Sequence, residues 1–242
     1  MELELVEYLQ GVFTLIFVVI TLIVGIRIAS KYLVFKRRVF ILIGISWPGM
    51  IIGWIPDAIT FLMIIFLDTP LSEEAYLIIA LAFYPIFVLC FFIGFMDILE
   101  TKREKLYLIV FVFLGILYEI IFLYLFLSPT EAVGTFEGPF LVEYHLFIDI
   151  FLIIWIMSVF VIGLSFVRQS LKSKEPEVKL KGKLLLIAFI TIIVGAMMDV
   201  IIPQTLITVV IVRLILASSS ILFYIGFILP EWTKKLLLIK KK

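Results

Sequence analysis

The side chains able to do chemistry in this sequence are few, and they sit inside long apolar runs. They are Asp57, Glu119, His145, Asp149, Asp199 and Arg213. An ionisable group inside an apolar span is costly, so such groups face a bundle interior and mark a pathway or pocket. With neutral histidine the fully ionised set carries a charge of about −3, which a low-dielectric bundle does not hold uncompensated. Some carboxyls must be protonated, water must enter, or a cation must bind. Arg213 is expected to pair with one of the acids, Asp57 or Asp199. His145 and Asp149 are four residues apart on one helical face and can meet. With Glu119 they would offer a metal one nitrogen and two oxygens. The chain has a single histidine, so no metal is assigned, and a hydrogen-bonded pair at the mouth of a pocket, titrating near neutral pH, is the preferred reading.

Trp47, Met50, Trp54 and Asp57 fall on one helical stripe. An acid above aromatic faces suits an organic cation or a sugar-like ligand. The plainer alternative is large rings filling space between helices. The candidate ligand-binding set is therefore Asp57, Trp54, Trp47, Glu119, His145, Asp149, Asp199 and Arg213. No nucleophile–base pair, HExxH motif or Gly-rich phosphate loop appears, so no catalytic residue and no enzyme activity is expected. The lone Cys90 excludes a disulfide framework and reads as a small packed residue.

These residues need elements to position them, and composition says which. The chain is 64% hydrophobic with a mean hydropathy of +1.27, more apolar surface than a soluble fold of this size can hide. Its solvent is lipid. Seven segments have the length and apolarity of a membrane helix: about 9–30, 39–66, 75–99, 106–127, 140–167, 184–203 and 206–229. The expectation is an all-α membrane protein, a single domain over 1–242 with a basic tail at 230–242, located in the cell membrane with the lipid bilayer as its main partner. The acidic start "MELELVEYLQ" is unlike a signal peptide, so the first span is expected to be retained.

Basic residues cluster after spans one, three, five and seven, and every one except Arg213 falls on that side. The opposite loops carry Glu2, Glu4, Glu7, Asp68, Glu73, Glu74, Glu131 and Glu137. The positive-inside rule then puts the amino terminus outside and the carboxyl terminus in the cytoplasm. Tyr8, Tyr76 and Tyr144 fall near the outer boundary, and Tyr32, Tyr107 and Trp232 near the inner one, where amphipathic rings sit. Asp97, at the inner rim, is expected to be solvated. Pro48 and Pro56 should bend span two. Gly49-x-x-x-Gly53 and the run "ASSS" at 217–220 allow close helix approach, inside the bundle in preference to a dimer face.

The chain also repeats itself. "FFIGF" at 91–95 ends the third span and "FYIGF" at 223–227 ends the seventh. One span earlier, Gly53-x-x-x-Asp57 matches Gly195-x-x-x-Asp199, and one earlier still "VGIRIASKYL" at 24–33 matches "IGLSFVRQSL" at 162–171. The shared order reads as a parallel duplication of about 9–99 into 140–229, with 106–127 as a linker helix.

This arrangement resembles the 3+1+3 organisation of SWEET-type sugar carriers and microbial opsins, and the seven-helix sensor regions of some prokaryotic histidine kinases. The opsin resemblance would imply retinal on a lysine in the seventh span. That span, "TLITVVIVRLILASSSILFYIGFIL", has none, so retinal is excluded and no cofactor is expected. SWEET carriers hold a Pro-Gln pair in the first helix of each half, whereas here Pro203-Gln204 lies between spans six and seven. No kinase domain is expected within these 242 residues either. The preferred function is a sensor or receptor-like protein binding a small ligand or cation in the outer half of the bundle and signalling through a separate partner. The alternative is a small-solute or ion-coupled transporter with its site at the repeat interface. A homo-oligomer stays open, and nucleic acid is not an expected partner.

Overall fold

A computed structural model describes residues 3–99, 104–129, 132–203 and 205–238. Glu2, Thr101, Lys102, Arg103, Glu131, Gln204 and Lys240 to Lys242, which entered the charge and repeat patterns, lie outside the described residues.

The fold is mostly helical. α1 (Leu5–Ala29) starts where the Glu4 N–H donates to the Glu7 carboxylate at 2.8 Å, and a short α2 (Lys31–Phe35) extends it. α3 (Val39–Gly49) and α4 (Ile55–Leu67) are joined by a 3-10 turn at Ile52–Trp54 and bent by 44°. Pro56 explains the break, since it has no N–H to bond the Ile52 carbonyl four residues back, whereas Pro48 is accommodated inside α3. α5 (Glu73–Leu77), capped by the Ser72 hydroxyl, runs through a π-helical turn at Ile78–Ala82 into α6 (Tyr84–Leu99). Pro85 cannot bond the Leu81 carbonyl four residues back, and the Tyr118 hydroxyl donates to that carbonyl at 3.4 Å. α7 spans Glu104–Phe126. Then come β1 (Gly134–Gly138) and β2 (Leu141–Tyr144), an antiparallel hairpin, followed by α8 (Leu146–Lys172), α9 (Pro176–Ile201), α10 (Leu206–Ile228) and α11 (Glu231–Leu238).

Six of these helices are long and apolar enough to cross a membrane, and the bent pair α3–α4 makes up to seven. Most of the expected segments are present with shifted ends. The exception is the fifth: residues 140–144 are not helix but part of the hairpin, and the helix begins at Leu146. The purely α expectation is corrected accordingly. Gly138 and Pro139 end the first strand, and the apolar Phe140, Leu141 and Val142 had merged by hydropathy with the helix that follows.

Packing forms a ring. α1 packs on α3, α4 and α10; α3 on α6; α6 on α8; α8 on α9; and α9 on α10, which closes the circle. α7 stands outside, against α6, touching α8 through Tyr118 and Phe151. The centre of the ring is aromatic. Trp47 stacks on Phe223 at 3.5 Å and meets Phe189 edge-on at 6.3 Å, while Phe95 reaches Phe189 and Phe227. At the end bearing the Arg/Lys loops, Arg38 grips Asp97 with two bonds of 2.6 and 2.7 Å. Asp97 is thus ion-paired rather than merely solvated.

Candidate functional site

A polar layer lies toward the opposite end of the bundle, built from one or two residues on each of several elements. α1 contributes Gln10 and Thr14, α4 contributes Asp57 and Thr60, α5 contributes Tyr76, and α10 contributes Arg213, all buried. Trp54 from the 3-10 turn and Asp199 from α9 complete it.

Arg213 is the hub. Its Nη1 lies 2.6 Å from Asp199 Oδ1, and its Nε donates to Thr14 Oγ1 at 2.7 Å. The indole of Trp54 donates to the other oxygen of Asp199 at 2.8 Å, and its ring meets Phe17 edge-on at 5.8 Å. Four elements are thereby tied together through one guanidinium and one carboxylate. Asp57 takes a different partner, the hydroxyl of Tyr76, while feeling the charges of both Arg213 and Asp199. Thr60, one turn along α4 from Asp57, has a buried hydroxyl with no hydrogen-bond partner among the described residues. With both acids ionised, two carboxylates face one guanidinium, and the layer is short of one positive charge.

The layer is closed above and below. On its near side the hairpin packs down: Phe136 meets Tyr76 edge-on at 5.3 Å, and Phe140 clusters with Phe61 and Ile64. On its far side lies the aromatic centre. On the continuous α9 and α10, Asp199 comes ten residues after Phe189 and Arg213 ten before Phe223. At about 1.5 Å per residue, roughly 15 Å of helix separates the polar layer from the rings.

Of the eight residues expected to bind a ligand, the structure brings Asp57, Trp54, Asp199 and Arg213 together and separates the other four. Trp47 belongs to the aromatic centre, its indole donating to Ser220 at 3.3 Å. The break between α3 and α4, at residues 50–54, takes it off the stripe that a continuous helix would have formed with Trp54 and Asp57. Glu119 sits on α7, outside the ring. His145 and Asp149 are exposed at the start of α8, where His145 is the N-cap and its carbonyl accepts from the Asp149 N–H at 3.2 Å. No group of three or more potential metal ligands occurs among the described residues.

Gln10, Thr14, Thr60 and Tyr76 were not anticipated. Gln10, Thr14 and Thr21 lie on the buried face of α1, and their spacing of four and seven residues was the available signal. Tyr76 looked like an interfacial ring but is buried against Asp57. The serine run also resolves: Ser220 and Thr21 hydroxyls meet at 2.7 Å where α1 and α10 pack closely.

No protein-family model matches this chain, and neither a curated protein nor a solved structure matches it. The long apolar helices fit a multi-pass membrane protein in a lipid bilayer.

Proposed function

We propose that this chain is a seven-span, sensor-like membrane protein that binds a small cation in the polar layer, with Asp57 as the principal acceptor and Trp54 and Tyr76 as its aromatic neighbours. The observation that carries this reading is the closure of the layer by an aromatic plug on one side and only a two-stranded cover on the other. A solute admitted past the hairpin meets two carboxylates against one guanidinium, then rings with no ionisable relay between them. That arrangement favours binding over conduction. The charge pattern favours an orientation with the hairpin outside and the Arg/Lys loops in the cytoplasm, so that a signal would leave through a separate partner.

A second reading, transport, is favoured by pairwise correspondences between the halves. Gly94 lies against Leu42 and Ile43, and Gly226 lies against Leu184 and Leu185. In the register that matches Gly53 with Gly195, those residue pairs are equivalent. The same register pairs Trp47 with Phe189, and these two rings touch, as do the equivalent Phe95 and Phe227. These correspondences support a parallel duplication about an axis along the ring centre, with Asp57 and Asp199 as matched positions. Carriers often place their sites at such repeat interfaces.

Thermal unfolding of the purified chain with a series of small ammonium ions tests the proposal. Stabilisation by at least one ion, absent in Asp57→Asn, is the expected result. Equal melting temperatures across the series would reduce the layer to a structural polar core.

A further inference from the structure

Every ionisable side chain of the polar layer is partnered, but Glu119 is not. One of its carboxyl oxygens is buried with no hydrogen-bond partner among the described residues, and the residue as a whole keeps partial exposure to the surroundings of the bundle. It lies on α7, the least buried of the six long apolar helices, at 17% against 28–50% for the others. The buried stripe of α7, Gly115, Tyr118 and Phe122, faces the ring. Around Glu119 the remaining face is bare: Phe113, Ile116, Ile120 and Tyr124 are all more than half exposed.

Glu119 precedes the end of α7 at Phe126 by seven residues, about 10 Å of helix. Its Cα–Cβ bond tilts toward the helix N-terminus, away from that nearer end, so the carboxyl does not rise easily to the adjacent interface. It stays at hydrocarbon depth, where an unpaired polar group is costly. Among the described residues, a second copy of this chain offers no exposed lysine or arginine at that depth. Among the described residues Arg213 is buried, and the lysines and other arginines lie at the ends of the long helices or beyond them.

We propose that the bare face of α7 is a docking surface for a transmembrane helix of a different protein, one that carries a lysine or arginine at the depth of Glu119. The carboxylate supplies the charge-assisted bond, and the surrounding Ile and Phe side chains supply the packing surface. This stands apart from what Asp57 binds.

The test places the full chain, donor-labelled, in phosphatidylcholine liposomes with an acceptor-labelled leucine-rich membrane helix bearing one lysine about 10 Å from its end. A leucine-only helix is the reference. Energy transfer should show the lysine helix associating about tenfold more tightly than the leucine helix. Glu119→Leu and Glu119→Gln should both erase that preference. Thermal unfolding of each variant should match the parent, and if Glu119→Leu does not fold, Glu119→Gln decides alone. No preference for the lysine helix, or a preference that survives in the variants, overturns the proposal. Self-association of the chain that is lost with Glu119 also overturns it, because the face would then serve a second copy.

Discussion

Arg213 holds more of the polar layer together than any other side chain, since α1, α9 and the turn before α4 all reach it directly or through Asp199. Removing one partner of a buried pair leaves the other charge uncompensated, so Arg213→Ala should lower stability by about 3–5 kcal/mol. Denaturant unfolding in micelles measures this, and a loss under about 1 kcal/mol, the size of a surface pair, would contradict a buried hub. That Arg213 must pair with an acid was legible in the sequence, because a lone guanidinium in a span has few ways to be satisfied. The choice of Asp199 over Asp57 was not, since it depends on how α9 and α4 are rotated in the ring. Trp47 shows the same limit. The stripe it shares with Trp54 exists only on an unbroken helix, and Pro56 interrupts the ladder between them and Asp57.

Elements are held together here by close approaches that single atoms can test. A Cβ on Gly25 would lie 2.3 Å from the Pro48 ring and 2.5 Å from the Gly44 carbonyl, so α1 and α3 would have to separate. Gly53 has nothing within 4 Å of that position. We expect Gly25→Ala to cost about 1–3 kcal/mol and Gly53→Ala to be neutral or stabilising by up to about 1 kcal/mol, compared by the same unfolding assay. Reversed signs would mean that the contact between α1 and α3 is misplaced. The Gly49-x-x-x-Gly53 motif is thus not one surface: Gly49 meets Phe87, and Gly53 faces open space.

A second element-level test concerns α11. Hydrogen bonds to Glu231 and then Glu177 raise the Lys234 ammonium above the ordinary lysine value. A raised folded value means that the pairing is complete below the unfolded pKa and is lost as pH climbs through the folded one. On the alkaline side the docking of α11 on α9 should therefore loosen in strong alkali, followed by fluorescence of Trp232, and Lys234→Met should loosen it already at neutral pH. Trp232 fluorescence that is unchanged both in strong alkali and in Lys234→Met would assign the docking to other groups. The hairpin was the element least visible in the sequence. Its strands are short, and only Glu143 and His145 interrupt the apolar run from Phe140 into α8.

At the scale of the whole molecule, composition and charge placement carried most of the reading: the apolar spans follow from hydropathy, and the proposed orientation follows from where the basic residues fall. The ring was not legible, because which helices neighbour one another depends on packing rather than on any one segment. The orientation has its own check. In a Cys90→Ala background, an impermeant thiol reagent applied to intact cells should label Ser72→Cys and leave Lys36→Cys untouched, and the opposite pattern would invert the proposed topology.

On the proposed reading, the polar layer binds a small cation and does not pass it on. Proteoliposomes exposed to radiolabelled tetramethylammonium measure both properties at once. Retained label should saturate at no more than the number of chains present and vanish in Asp57→Asn. Label that keeps accumulating with time and is lost in Asp57→Asn and Asp199→Asn would contradict the claim and make the matched acids a transport site.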